Sequence, residues 1–257
     1  MNLAAPKPVH VFVGLIARHT LTVATHVTLS RLKVEANALG MKVSEETEES
    51  GGIALARNLL VERFFDKTEA DWFLSFDDDV GRFRGSDLAR MVSHGVAVVG
   101  APLPGRAIQP ASVQAALAEG LAAKLGGAPT EGYLALHESL SPLLVKYLDE
   151  GPRWIQSPAG PICEVRGTSA GCLLISRAAI GKLIDREGRF AFNDRRPPRL
   201  FDFTEAVPDD SYGFCQRWRE LGGKVYVDGR TTLSHVGLVH FTTRPLVTIH
   251  EVVERGA

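Results

Sequence analysis

Through residues 9–100, apolar runs of strand length alternate with stripes of helical period, a pattern that few architectures satisfy other than strands laid side by side under packed helices. Residues 9–16 form a β-branched apolar run that predicts a buried strand. From Thr20 the period changes: Leu29, Leu32, Ala36 and Leu39 form a helical stripe that stops at Gly40, a suitable C-terminal glycine. Met41-Lys42-Val43 opens a second strand, and the acids Glu45, Glu46, Glu48 and Glu49 are expected in a solvated loop. Residues 53–67 predict a helix with Leu55, Leu59, Leu60 and Phe64 on its apolar face. Residues 71–76 then form a strand-like run opening onto Asp77-Asp78-Asp79, Ser86 is placed to cap a helix through His94, and residues 96–100 predict another buried strand. The expected class is α/β, with a mostly parallel, Rossmann-like central sheet between two helical layers.

The remainder is less regular. Residues 112–148 are rich in Ala, Leu and Gly with weak periodicity, which suggests short helices forming an insertion or lid. Residues 164–175 read as one strand interrupted by Gly167 and Gly171, and glycines inside a strand often mark close approach of a ligand or another backbone. Ser176 then caps a helix to Ile184. Arg186, Arg189, Arg195, Arg196 and Arg199, set against Glu187 and Asp194, make a basic patch. A helix beginning at Pro208-Asp209-Asp210 carries Phe214, Cys215, Trp218 and Leu221 to Gly222-Gly223; residues 224–228 are a strand, and residues 233–237 close the pattern. This divides the chain into residues 1–100, an insertion at 101–160, and residues 161–257, all within one compact domain that includes a second, smaller sheet.

A hydrophobic content of 45% with a net charge of −1 excludes whole-chain disorder and any global attraction to nucleic acid or anionic membranes. No apolar run reaches the ~18 residues of a spanning helix and the first residues lack a secretory pattern, so the expected location is cytoplasmic. Cys163, Cys172 and Cys215 are too scattered for a disulfide framework or a structural zinc site and are expected as buried thiols.

Three consecutive aspartates at the C-terminal end of a strand repel one another and resist desolvation unless a cation compensates them. Hard carboxylate oxygens suit Mg²⁺ or Mn²⁺, and alternation along an extended segment lets Asp77 and Asp79 share a cleft while Asp78 points elsewhere. The competing reading is an acidic surface turn. Arg57 sits near a helix start, where a cation opposes the macrodipole unless it serves an anion; the plainer alternative is a surface ion pair with Glu48 or Glu62. Asp209 and Asp210 suit a helix's first turn for structural reasons, and one of them also suits a general base. His235 is either a structural imidazole or a metal ligand.

The order of these features is more specific than any one of them. The segment Ala56-Arg57-Asn58-Leu59-Leu60-Val61, followed by Ala70-Asp71-Trp72-Phe73-Leu74-Ser75-Phe76-Asp77-Asp78-Asp79, resembles the nucleotide-sugar half of GT-A-fold glycosyltransferases, where a D-x-D motif ends a strand after such a helix. Residues 167–175 are similar to the acceptor-side strand of that family, and residues 209–215 with 219–228 resemble the acidic-pair block of its inverting, family-2-like members. His235-Val236-Gly237 matches the late histidine that often completes the metal site.

The resemblance implies a metal-dependent transferase that moves a sugar from a nucleoside-diphosphate sugar, most simply a UDP-sugar, using Mn²⁺ or Mg²⁺. It implies Ala17, Arg18, Arg57, Asp77 and Asp78 on the nucleotide side, Asp77, Asp79 and His235 at the metal, and Gly167, Thr168, Arg195 and Arg196 on the acceptor side. The acidic pair becomes catalytic, with Asp210 as base and Asp209 where the family usually has Glu. The acceptor would be a glycan, a lipid-linked saccharide or a modified DNA base. Similarity of the Arg57 segment to retaining mannosyltransferases leaves both stereochemical routes open, and the alternatives are a sugar nucleotidyltransferase or a non-catalytic nucleotide-sugar-binding protein.

Overall fold

The structure is a computed structural model that describes residues 7–17, 21–49, 51–105, 143–203, 209–236 and 241–242. Its elements begin with β1 (His10–Ile16), α1 (Val23–Ala38), β2 (Lys42–Glu48), α2 (Ile53–Lys67), β3 (Trp72–Asp77), β4 (Val80–Gly81), α3 (Gly85–Ser93) and β5 (Val98–Gly100). They continue with β6 (Val145–Lys146), β7 (Arg153–Ser157), β8 (Gly160–Val165), β9 (Gly167–Thr168), β10 (Cys172–Ser176), α4 (Arg177–Glu187), α5 (Asp210–Glu220), β11 (Val225–Val227), β12 (Ser234–His235) and β13 (Phe241–Thr242). Among the described residues, no helix is long and apolar enough to cross a membrane.

An eight-stranded sheet in the order β2-β1-β3-β10-β5-β11-β8-β7 forms the centre. Strand alternation gives it two apolar faces. From β1, Phe12 and Ile16 pack with Leu60 and Phe64 of α2, Leu183 of α4 and Phe214 of α5, while Val11, Val13 and Leu15 pack with Leu32 of α1 and Met91 of α3. The result is the expected α/β/α layering. The rings of Phe12, Phe64 and Phe73 close one face at centroid distances of 5.6 to 6.1 Å.

Four local expectations require correction. The sheet is mixed: only β1–β2, β1–β3 and β5–β11 pair in parallel, because β10 enters antiparallel between β3 and β5 and β7–β8 is an antiparallel hairpin. Glu45, Glu46 and Glu48 lie in β2, not in a loop, since its backbone pairs with β1 from His10↔Lys42 to Ile16↔Glu48. Their charge is accommodated at the sheet edge by Lys33 and Arg63, and edge charges also discourage pairing with another chain. Residues 164–175 form parts of three strands, with β9 leaving the main sheet to pair with β6. α3 begins at Gly85, before Ser86, where Asp87 accepts from the Arg84 N–H at 3.1 Å. Most of the expected helical insertion lies outside the described residues; its described part holds β6 and β7.

Other boundaries agree with their chemistry. Gly40 ends the α1 turn at φ +76, a conformation that favours glycine. Ser176 Oγ accepts from the Ala179 N–H at 3.2 Å and caps α4. Ser176→Ala is expected to cost about 1 kcal/mol, a fall of roughly 2–4 °C in Tm measurable by calorimetry. The three cysteines are buried free thiols, as expected, and burial pushes the Cys215 thiol up to about 12.

Candidate functional site

The parallel strands β1, β2 and β3 end together, and the acidic turn leaves β3 at this edge. The turn is anchored from both sides: Asp78 N–H donates to Ile16 O at 3.1 Å, and Asp78 O accepts from Thr22 N–H and from Thr25 Oγ. Asp79 O accepts from Val236 N–H at 2.7 Å, which joins the turn to β12. Ala17 is buried at the end of β1 and donates to Glu48 O; Arg18 lies outside the described residues.

Arg57 joins this turn to the C-terminal third of the chain. Its side chain is only 1% exposed, yet the guanidinium touches three polar groups from two elements, β3 and α5. Nε donates to Ser75 Oγ of β3 at 3.2 Å, one terminal nitrogen donates to Asp77 Oδ1 at 2.6 Å, and the other forms a hydrogen-bonded ion pair with Asp210 Oδ2 at the start of α5. The Phe201 ring lies 5.9 Å from the guanidinium carbon and stacks on Phe214 at 4.8 Å, giving the cation an apolar floor. The anion that Arg57 serves is therefore a pair of the protein's own carboxylates, and the surface pair with Glu48 or Glu62 does not form. Those glutamates instead engage Arg63 and Arg195.

Two carboxylates against one guanidinium leave one negative charge uncompensated. Burial raises the Asp210 pKa above its ordinary value; Arg57 opposes the shift, while the charges of Asp209 and Asp77 add to it. Asp209 is the N-cap of α5 and accepts from Tyr212 N–H at 2.9 Å, so the two neighbouring acids have different surroundings. Only Asp210 reaches Arg57.

Asp79 goes the other way, to His235. Buried His235 shares its Nδ1 with Pro104 O at 2.7 Å, and Nδ1 carries the hydrogen because a carbonyl only accepts. Its Nε2 faces Asp79 Oδ1 at 3.2 Å. An imidazole nitrogen and a carboxylate oxygen at that separation attract with a proton or a cation between them. Neighbouring ligand atoms around a metal at ~2.1 Å lie about 3 Å apart, so the spacing of the pair is also one that two ligands of a divalent ion would have. Asp77, Asp79 and His235 do not close as a trio: among the described residues no three His, Cys, Asp or Glu side chains are grouped for a metal, because Arg57 draws Asp77 aside.

Gly167 and Thr168 lie beside α5. An added Cβ at Gly167 would come within 2.8 Å of the Tyr212 ring, and Thr168 is buried against Gly100. Arg195 instead sits over α2, bonded to Glu62 at 2.7 Å and Leu59 O at 3.0 Å, and Arg196 N–H also meets Glu62. The basic patch is largely internally balanced, since Arg186 pairs with Glu220 and Arg189 with Asp66.

Two residues, Ser75 and Asn58, had no assigned role in the sequence reading, and Gly171, expected to mark a close approach, meets Asp77. Ser75 supports Arg57 from the centre of an apolar strand. Asn58, fully buried, accepts from Leu200 and Phe201 N–H at 3.0 Å each and donates to Asp202, which holds the Phe201 floor in place. Gly171 accepts from Asp77 N–H, and a Cβ there would come within 2.9 Å of the Asp77 carboxylate. A polar residue at a core-facing position was the available signal for Ser75 and Asn58.

No protein-family model matches the chain, and a search of curated proteins finds no match. Among solved structures, the crystal structure of A197 from STIV is similar at 12% identity and a TM-score of 0.46, covering 89% of this chain and 86% of that one. A likeness of that degree leaves fold and function to be argued from the residues.

Proposed function

We propose that the chain is a metal-dependent glycosyltransferase of the GT-A kind, moving a sugar from a nucleoside-diphosphate sugar, a UDP-sugar in the simplest form, to an acceptor hydroxyl. The observation that carries this reading is the buried Asp77–Arg57–Asp210 bridge: residues 153 positions apart meet where the parallel strands end, next to the Asp79–His235 pair. Ligands of open α/β sheets sit at that edge.

Within this reading Asp79 and His235 hold Mn²⁺ or Mg²⁺, which when bound supplies positive charge to the departing diphosphate. Asp210 is the base for the acceptor hydroxyl. Its Oδ2 is committed to Arg57, leaving Oδ1 to face substrate, and a carboxylate whose pKa is raised by burial is a stronger proton acceptor. Arg57 orients that carboxylate and ties it to the strand bearing Asp77, while the cap made by Asp209 holds the first turn of α5 rigid. The alternation of roles between adjacent acids suits an inverting displacement, in which one base acts opposite the leaving group.

The first test is donor binding. UDP with Mn²⁺ is expected to raise Tm by several degrees at a hundredfold excess over Kd, equivalent to about 2.7 kcal/mol, and neither component alone should do so fully. Asp79→Ala should lose the metal-dependent part while keeping its far-UV circular dichroism spectrum. An unchanged metal-dependent shift in that variant would remove Asp79 from the site.

A further inference from the structure

The arginines of the sequence patch are mostly paired, but another set is not. A cavity of about 760 Å³ lies between α1, β4 and the start of α3, and Arg31, Arg82, Arg84 and Arg230 all line it. Arg230 is held by Asp228 at 3.4 Å and by Ala159 O at 2.7 Å. The guanidinium groups of Arg31, Arg82 and Arg84 have no ion pair among the described residues. Asp87, the cavity's acid, is already engaged by Arg90 at 2.7 Å and by the Arg84 backbone, and Glu35 takes the Gly85 N–H at 2.8 Å. Three like charges around one hollow repel each other, which stabilises nothing until an anion arrives.

Two further features support a ligand. Arg82 has φ +67, in the left-handed region that bulky side chains rarely adopt, and its N–H is fixed by Thr28 Oγ at 3.0 Å. The backbone thus holds Arg82 at the rim at an energetic cost. The α1 wall is apolar and open: Val23 is 80% exposed and Val27 is 45% exposed, one helical turn apart. Cations and uncovered valines in one cavity match a molecule with an anionic head and an apolar body.

The cavity is separate from the candidate donor site. β12 pairs with β4, setting Ser234 opposite Gly81 and His235 opposite Val80, so consecutive side chains leave the ribbon on opposite faces. Ser234 faces α1, because a Cβ on Gly81 would meet Ser234 Oγ and Ala24, whereas His235 faces Asp79 and Pro104.

We propose that this cavity is a binding site for an organic phosphate, with the phosphate between Arg31, Arg82 and Arg84 and an apolar group along Val23 and Val27. Charge-assisted bonds from several guanidinium groups suit a phosphate's oxygens.

The test is titration of the whole chain with decyl phosphate below its micelle concentration, with inorganic phosphate, and with vesicles of phosphatidylcholine containing or lacking phosphatidic acid. Decyl phosphate is expected to bind at least tenfold more tightly than inorganic phosphate. Arg82→Ala with Arg84→Ala should weaken binding tenfold or more, and Val23→Ser with Val27→Ser should remove the preference for the chain. These side chains are at the surface, and a preserved UDP–Mn²⁺ thermal shift would show that the donor site is intact. Tighter binding to phosphatidic acid vesicles than to free decyl phosphate would identify a bilayer lipid as the source, and the reverse order a dissolved amphiphile. Absence of binding in every arm, binding indifferent to the arginine pair, or equal affinity for inorganic and decyl phosphate would overturn the proposal.

Discussion

Arg57→Leu is expected to destabilise the protein by about 3–5 kcal/mol, because it strands Asp77 and Asp210 at a buried point with no cation between them. For a chain of this size that is a fall in Tm of roughly 10 °C. The deficit has a pH signature whose sign follows from linkage. The Asp210 pKa is already raised in the folded state by burial, and removal of Arg57 takes away the main influence holding it down. A carboxyl whose folded pKa lies above its unfolded value favours folding progressively as pH falls between the two, so the variant should regain stability on acidification relative to wild type. Asp210→Asn in the Arg57→Leu background should restore part of the loss at neutral pH. Equal stability of Arg57→Leu and wild type across pH would mean that the bridge contributes nothing.

The second large effect concerns turnover. Asp210→Asn leaves an oxygen to accept from Arg57 and leaves Asp77 paired, so the fold and UDP–Mn²⁺ binding should persist. If Asp210 is the base, kcat falls by about 10²–10⁴ while donor affinity changes little. Asp209→Asn keeps a side-chain oxygen for the cap at Tyr212 N–H and should retain most activity. Comparable losses in both variants would mean that the two acids do not have separate roles. Normal turnover in Asp210→Asn would favour a retaining route. Product stereochemistry, read by NMR of the glycosidic linkage, separates these cases.

Much of the α/β/α layering was legible because period and burial coincide. The β1 run, the α1 stripe and the residues 53–67 helix are each visible as a period, and Gly40 after α1, Ser176 before α4 and Asp209 before α5 mark boundaries. The acidic residues of β2 were misread because charge argues for solvent, and at a sheet edge the ladder with β1 outweighs that preference while Lys33 and Arg63 neutralise it. Strand direction was not legible either. A five-residue apolar run such as β10 is the same whether it runs with or against β3, and the hydrogen bonds of the whole sheet decide between them.

The candidate site divides along the same line. Sequence by itself determined which residues had chemistry to offer: an aspartate triplet at a strand end, a cation misplaced at a helix start, an acidic pair in a first helical turn and a late histidine. Tertiary structure decided how they are partnered, sending Asp77 to Arg57 and Asp210, Asp79 to His235, and the arginines of residues 186–199 mainly to nearby acids. The physical reason is that side-chain type and local period act within a few residues, whereas the energy of a charge depends on burial and on neighbours brought from far along the chain. Arg57 reads as an awkward helix residue in one dimension and as the bridge between two carboxylates in three.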